Sequence, residues 1–275
     1  MKAATAIGIG AGVFALLFAS MMEGTQPMAF FNISALIIVL AGTASATLSS
    51  VGMATMKKVP QLYKLAFGPP ELDMRGRVEL IVSLAEQARR EGLLALDAQL
   101  AEIDDDFARK GLQLVVDGTD PELVREILEA EIDGMTTRHA AGATAFEKAG
   151  GYAPTMGIIG TVMGLVHVLQ NLSSPATLGP AISTAFIATL LGVGSANVVF
   201  LPVAARLRAL SSAEAELRIL TLEGILAVQA GDNPRVVGDK LRSFVAPAER
   251  GGDEEAAPAG RAVPDPGLEP AAEAA

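Results

Sequence analysis

The sequence contains no cysteine and no tryptophan, only two histidines, and few aromatic residues. Without cysteine, the chain forms no disulfide framework and offers no thiolate nucleophile or cysteine metal ligand. The two histidines, His139 and His167, lie far apart in different environments, which excludes a histidine-rich metal site within one chain. Lysine and arginine do not cluster with aromatic residues, which argues against nucleic-acid binding. We therefore predict no metal, no cofactor and no nucleic-acid partner.

Charged residues are also absent from one long stretch: within residues 149–206, no Asp, Glu, Lys or Arg occurs until Arg206. That length fits two membrane-crossing helices, at about 150–171 and 180–203. A turn over 171–180, rich in Ser, Gly and Pro, would join them.

Two more apolar stretches occur in residues 1–56 and predict spans at about 3–22 and 29–53. The first of them also has small residues near Ala19, as a cleaved signal peptide would. Taken as a span, it completes an all-α, polytopic membrane protein with four transmembrane helices and a helical cytoplasmic domain between the second and third.

Basic residues indicate the orientation of the chain. Lys57, Lys58 and Lys64 follow the second span, and Arg206 and Arg208 follow the fourth, whereas both short turns lack Lys and Arg. By the positive-inside rule, both termini and the long middle segment face the cytoplasm. We expect a multi-pass protein of the bacterial cytoplasmic membrane, in contact with membrane lipid.

The soluble parts divide into three: a cytoplasmic helical domain (57–148), a helical C-terminal segment (207–245) and a disordered acidic tail (246–275). In the first, helical spacing of apolar residues predicts helices at 77–91 and about 94–109. Asp120 and Pro121 are suited to starting another helix, which is expected to run on into the third span.

No catalytic constellation or phosphate-binding loop is present, so we predict no enzyme. The acidic run Asp104-Asp105-Asp106 lacks the Gly and terminal Glu of a calcium loop and is interpreted as a solvated helix face. The spans also lack the carboxylate that carries ions through hydrocarbon. If the chain conducts ions, a partner must supply that group.

Several residues in the third and fourth spans have two interpretations. Thr161 and Thr189 would line an ion route with hydroxyls, or would hydrogen-bond to their own helices. Pro154 and Pro202 each free a backbone carbonyl, giving a hinge or a static kink. His167 would relay protons, or would be an interfacial packing residue.

Three segments resemble the MotA/PomA flagellar stator proteins, within the wider MotA/TolQ/ExbB group. They are Tyr152–Leu165 in the third span, Ala188–Pro202 in the fourth, and Arg89–Asp97 in the cytoplasmic domain. The resemblance covers nearly the whole chain except the acidic tail. Four spans favour this branch over the three-span ExbB and TolQ proteins.

The resemblance implies that the chain is one subunit of an ion-driven rotary complex. Five copies would surround a dimer of MotB, which supplies the ion-binding aspartate, and ion flow would turn the pentamer against the rotor protein FliG. Thr161 and Thr189 would then face the ion route, and Pro154 and Pro202 would couple ion passage to conformational change. The rotor contact would use Arg89 or Arg90 together with Asp97.

The driving ion is H+ or Na+. Sodium-driven relatives tend to carry hydroxyls at the positions of Thr161, Ala188 and Thr189, and the alanine here favours protons. Two other functions remain open: an ExbB/TolQ-like energiser of an envelope complex, and a secondary transporter. The latter would need broken helices with ionisable groups at mid-membrane, which the sequence lacks.

Overall fold

The computed structural model describes residues 4–24, 27–173 and 175–246, where it contains helices and no strand. The predicted all-α fold is confirmed. The helices are α1 (Ala4–Met22), α2 (Ile33–Leu36), α3 (Gly42–Met56), α4 (Val59–Phe67), α5 (Met74–Glu91), α6 (Asp97–Leu100), α7 (Asp106–Val116), α8 (Pro121–Gln170), α9 (Pro175–Ser195), α10 (Leu201–Ala230) and α11 (Pro234–Arg242). The expected acidic tail lies outside the described residues from position 247 onward.

Within the described residues, four helical stretches are long and apolar enough to cross a membrane, as predicted. They are Ala4–Met22, Ile33–Met56, Pro121–Gln170 and Leu178–Ala230. Two of them contain a π-helical turn, at Ile37–Ala41 between α2 and α3 and at Ala196–Phe200 between α9 and α10. The chain thus passes from α9 through α10 without a loop.

Helix α8 contains 50 residues and is therefore about 75 Å long, more than twice the thickness of a bilayer core. Its start follows the predicted signals: the Asp120 carboxylate accepts a hydrogen bond from the Glu122 N–H at 2.9 Å, and Pro121 takes the first position. One continuous rod therefore joins the third span to the helices outside the spans, α5, α6, α7 and α11, which we call the charged helices.

The turn between the third and fourth spans is shorter than the predicted 171–180. Helix α8 ends at Gln170 and α9 begins at Pro175, so Pro180 lies inside α9. The first position of a helix has no intrahelical partner for its N–H, so a proline costs nothing there. Pro175 consequently starts the helix that Pro180 was expected to start.

The predicted end of a helix at Gly92 is present, but the predicted single helix at 94–109 is wrong. Gly92 adopts φ 89°, and a 3-10 turn (Leu93–Leu96) and the short α6 follow it. Asp105 then caps α7, accepting hydrogen bonds from the N–H groups of Phe107 and Ala108 at 2.8 and 3.1 Å. The acidic run is therefore a helix start and not a solvated helix face, because a capping carboxylate competes with continuation of the helix.

Two cores hold the molecule together. The larger one joins α5, α7, α8, α10 and α11 through side chains such as Ile81, Leu112, Leu128, Ile225 and Leu241, each no more than 2% exposed. The smaller one lies where the two long helices, α8 and α10, meet α4. It contains Ala66, Ala143, Phe146, Val203, Ala204 and Leu207.

A charged clamp closes the larger core at its surface. The Glu223 carboxylate on α10 accepts hydrogen bonds from Arg125 of α8 at 2.8 Å and from Lys240 of α11 at 2.6 Å. Partial burial raises the pKa of Glu223, but the hydrogen bonds from Lys240 and Arg125 outweigh it and leave that pKa below its ordinary value. These contacts hold the first turns of α8 against the last turns of α10, the second long rod.

Candidate functional site

The third and fourth spans approach each other closely at two facing glycines. A Cβ placed on Gly192 of α9 would lie 2.5 Å from the Ala153 carbonyl oxygen and 3.0 Å from the Gly157 Cα. A Cβ on Gly157 would in turn lie 2.8 Å from the Ala188 carbonyl oxygen. The two backbones are therefore in direct contact, as small residues allow in membrane helices.

One turn further along this contact, the structure brings Thr161 and Thr189 together. Their hydroxyl groups are hydrogen-bonded to each other across the helix pair. The Thr161 hydroxyl also lies 2.9 Å from the Ala185 carbonyl oxygen of the opposite helix and 3.1 Å from the Gly157 carbonyl oxygen of its own helix. Thr161 therefore makes hydrogen bonds both within its own helix and to the opposite helix.

This pair has a definite chemical capacity. Each hydroxyl has one proton and two lone pairs, so if Thr161 donates to a carbonyl, Thr189 is free to donate to Thr161. Both side chains are half-buried. Such a cluster offers neutral oxygen ligands to a cation or a water molecule, but it does not carry a proton at neutral pH.

Ala188 occupies the position next to this pair and is only 2% exposed. A Cβ on Gly160 would lie 2.8 Å from the Ala188 Cβ, so the alanine methyl group fills the gap between the helices.

Both prolines lie where α8 meets α10. Pro154 is inside α8, where it has no N–H for the carbonyl of Gly150, and Pro202 is the second residue of α10, directly after the π-helical turn. A Cβ on Gly150 would lie 2.6 Å from the Leu201 side chain. Gly150, whose carbonyl Pro154 leaves without a helical partner, therefore packs against Leu201, the residue before Pro202.

The third predicted group lies on the surface of the charged helices. Arg89, Arg90 and Asp97 are all exposed, the arginines in the last turn of α5 and the aspartate at the first position of α6. Arg90 is 3.7 Å from Glu86 of the same helix, an exposed pair. Gly92 and the 3-10 turn Leu93–Leu96 separate the aspartate from the arginines along the chain.

Sequence reasoning missed a cavity of about 510 Å³ between α2, α8 and α9. Asn32, Thr184 and His167 line it, together with Gly160 and Ala188. The Asn32 side-chain amide donates a hydrogen bond to the Thr184 hydroxyl at 3.0 Å. Its Oδ1 accepts a hydrogen bond from the Ala35 N–H at 3.1 Å and so caps α2. The signal in the sequence that could have identified Asn32 is a potential capping residue directly before an apolar run.

Within the described residues, no cluster of three or more His, Cys, Asp or Glu side chains is placed to hold a metal ion.

Comparison with known proteins gives one consistent result. The profile of the MotA/TolQ/ExbB proton channel family matches residues 99–218. Motility protein A of Borreliella burgdorferi is 37% identical over 91% of this chain and 96% of its own, and chemotaxis protein PomA of Vibrio alginolyticus is 34% identical over 91% and 98%.

Solved structures agree with the sequences. The flagellar MotAB stator complex from Bacillus subtilis matches with a TM-score of 0.83 and 38% identity, over 89% of this chain and 96% of that one. The C. jejuni MotAB structure matches with a TM-score of 0.86 and 28% identity, over 90% and 96%. The chain belongs to the MotA/TolQ/ExbB proton channel family.

Proposed function

We propose that this chain is a flagellar motor stator subunit, which uses ion flow across the cytoplasmic membrane to exert torque on the rotor. The observation that carries the proposal is the 38% identity, over nearly the full length of both chains, to a flagellar MotAB stator complex. The chain would be a mechanical, ion-driven component without catalytic activity of its own.

The composition of the spans supports a MotB-like partner. Residues 149–205 contain no carboxylate, whereas ion transfer through hydrocarbon normally needs an ionisable group at depth. A partner helix with an aspartate would supply that group next to Thr161 and Thr189. Five copies of this chain around a MotB dimer would form the complete complex.

Torque would leave the complex through the charged helices. Pro154 and Pro202 would convert ion passage into a change in how α8 and α10 cross, since both interrupt the backbone hydrogen bonds of these rods. Arg89, Arg90 and Asp97 would contact charges of the rotor protein FliG. Both termini and these helices would lie in the cytoplasm, with the two short interhelical turns outside.

Genetics with a full-length copy tests this function. Cells that lack the gene are expected to build flagella that do not rotate, and an affinity-tagged copy should restore swimming and co-purify a MotB-like chain with a peptidoglycan-binding domain. Normal swimming in the deletion strain, or co-purification of an ExbD- or TolR-like chain instead, would favour an envelope energiser of the ExbB/TolQ type.

We propose H+ as the driving ion, because a methyl group at Ala188 replaces one of the three hydroxyls that sodium-driven relatives tend to carry. Swimming speed should then be independent of sodium concentration at fixed pH and should collapse with a protonophore. Sodium-dependent swimming that resists the protonophore would assign Na+ instead.

A further inference from the structure

A short amphipathic helix, α4, follows the second span and lies across the inner ends of three others. Val59, Leu62 and Tyr63 pack against the smaller core, and Ala66 is completely buried in it. The Tyr63 ring stands edge-on to the Phe146 ring of α8, with 4.8 Å between the centroids. Helix α4 is therefore fixed to the rods by its apolar face.

The partners of this face define its level in the membrane. Ile9 belongs to the first span, Phe146 lies a few residues before the charge-free part of α8, and Val203 lies at the end of the charge-free part of the fourth span. Phe146 and Val203 thus lie at the two ends of the charge-free stretch, where hydrocarbon would give way to headgroups, and Ile9 lies in the second turn of the first span. Tyr63 and Phe67, stacked with 6.3 Å between centroids, suit this interface.

The other side of this region is basic and unpaired. Lys57, Lys58 and Lys64 are exposed, and so is Lys148, two residues after Phe146. Among the described residues none of these four forms an ion pair, whereas the neighbouring Glu147 pairs with Arg208 at 2.7 Å. We call Lys57, Lys58, Lys64 and Lys148 the basic collar.

We propose that the basic collar binds the headgroups of anionic phospholipids in the inner leaflet. Clusters of four or more Lys and Arg directly beside a span attract such lipids by about 1 kcal/mol for each basic residue. The collar is also suitably placed, because the apolar contacts of α4 fix its position along the membrane normal. Within the described residues, no carboxylate pairs with its lysines. This inference rests on the orientation given under the proposed function.

Binding to lipid in detergent tests the collar. The full-length chain, purified with its MotB-like partner in an uncharged detergent, is titrated with dioleoylphosphatidylglycerol or dioleoylphosphatidylcholine, and bound lipid is counted by native mass spectrometry. The wild type should retain the anionic lipid preferentially. The triple variant Lys57→Gln, Lys58→Gln and Lys64→Gln should lose affinity for it by roughly one hundredfold, the equivalent of about 1 kcal/mol for each lysine.

Two matched variants control for net charge and for folding. Arg75→Gln, Arg235→Gln and Arg242→Gln remove the same charge from the surface of the charged helices and should leave lipid binding unchanged. Lys57→Arg, Lys58→Arg and Lys64→Arg keep the charge at the collar and should retain binding. Helix content by circular dichroism should be equal in all four proteins.

Three results would overturn the proposal. Equal retention of the two lipids by the wild type would exclude headgroup selectivity, and an equal loss in the Arg75, Arg235 and Arg242 variant would reduce the effect to net charge. Displacement of the lipid by an equal concentration of inorganic phosphate would indicate a general anion site. Because the readout is binding and not swimming, none of these results bears on the stator function.

Discussion

At the scale of single residues, two glycines set how closely the third and fourth spans approach. We predict that Gly192→Ala destabilises the complex, because its Cβ would lie 2.5 Å from a backbone oxygen, and backbone cannot move aside like a side chain. Overpacking of this kind costs about 1–3 kcal/mol. The measurement is the thermal unfolding midpoint of the purified complex, which should fall.

Gly194→Ala is the matched control two residues further along the same helix. A Cβ there meets only the end of the Leu16 side chain, at 3.8 Å, so the midpoint should stay the same or rise with the better helix propensity of alanine. If Gly192→Ala matches this control, the two backbones are not in contact in the assembled complex.

Asp105 gives the charged helices a dependence on pH. Partial burial raises the pKa of its carboxyl group, but hydrogen bonds from the Ala108 and Phe107 N–H groups and the charge of Arg77 outweigh burial and hold the pKa below its ordinary value. The stabilisation is therefore fully present above the ordinary aspartate pKa and is lost as the pH falls through the folded-state value. Arg77, whose side chain is 13% exposed, depends on this partner.

We predict that Asp105→Asn lowers the free energy of unfolding by about 2 kcal/mol at neutral pH, the usual contribution of hydrogen bonds to charged groups. Asparagine still caps the helix, so the loss reports the charge. Denaturant unfolding followed by circular dichroism should show the difference from wild type shrinking below about pH 4. Asp106→Asn, which removes the charge of a side chain that is 93% exposed, should have little effect at any pH. A difference that persists at low pH would contradict the assigned role of the charge.

At the scale of elements, the long rod α8 depends on a missing hydrogen bond. Pro154→Ala restores the N–H that the Gly150 carbonyl lacks and so makes the rod straighter and stiffer. We predict that the variant inserts and binds the MotB-like partner but does not rotate flagella. Tethered-cell rotation, beside co-purification of the partner, measures the two properties separately.

Pro180→Ala removes another proline from inside a helix, in the second turn of α9, and is the matched control. Flagella should still rotate in this variant. Normal rotation with Pro154→Ala would leave the proline as a static kink and remove the hinge from the mechanism.

The elements also show how far the sequence alone leads. Long apolar stretches predicted the four spans, and the capping residues Asp120 and Pro121 predicted the start of α8, because these signals are local. The interruption of the helix between Leu100 and Asp105, and the cap at Asp105, were missed. Apolar residues at 94–109 continue a helical spacing, whereas the folded chain leaves the helix there and places Leu96 and Leu100 in the core. The contact between Thr161 and Thr189 also depends on how two helices pack, which spacing in one sequence does not encode.

At the scale of the whole molecule, the proposed rotor contact requires torque to pass from the spans to a surface at the far end of the long helices. The structure offers a direct route, because α8 and α10 are continuous from the spans to the larger core, and the Glu223 clamp ties both to α11. Helix α5, which ends in Arg89 and Arg90, packs against α10 and α11 in that core. A rotation of the rods would therefore carry the exposed charges with it.

The last prediction concerns those charges. Exposed ion pairs contribute about 0–1 kcal/mol each, which suits a contact that is made and broken at every step, and reversal replaces attraction by repulsion. Arg90→Glu and Asp97→Lys are each expected to abolish swimming while the membrane amount of the protein and its association with the MotB-like partner stay unchanged. Arg75→Glu, at the opposite end of α5, reverses an equally exposed charge and should leave swimming intact. Loss of partner binding in the Arg90 or Asp97 variants would place these residues in assembly, because a rotor contact is needed only after the complex has formed.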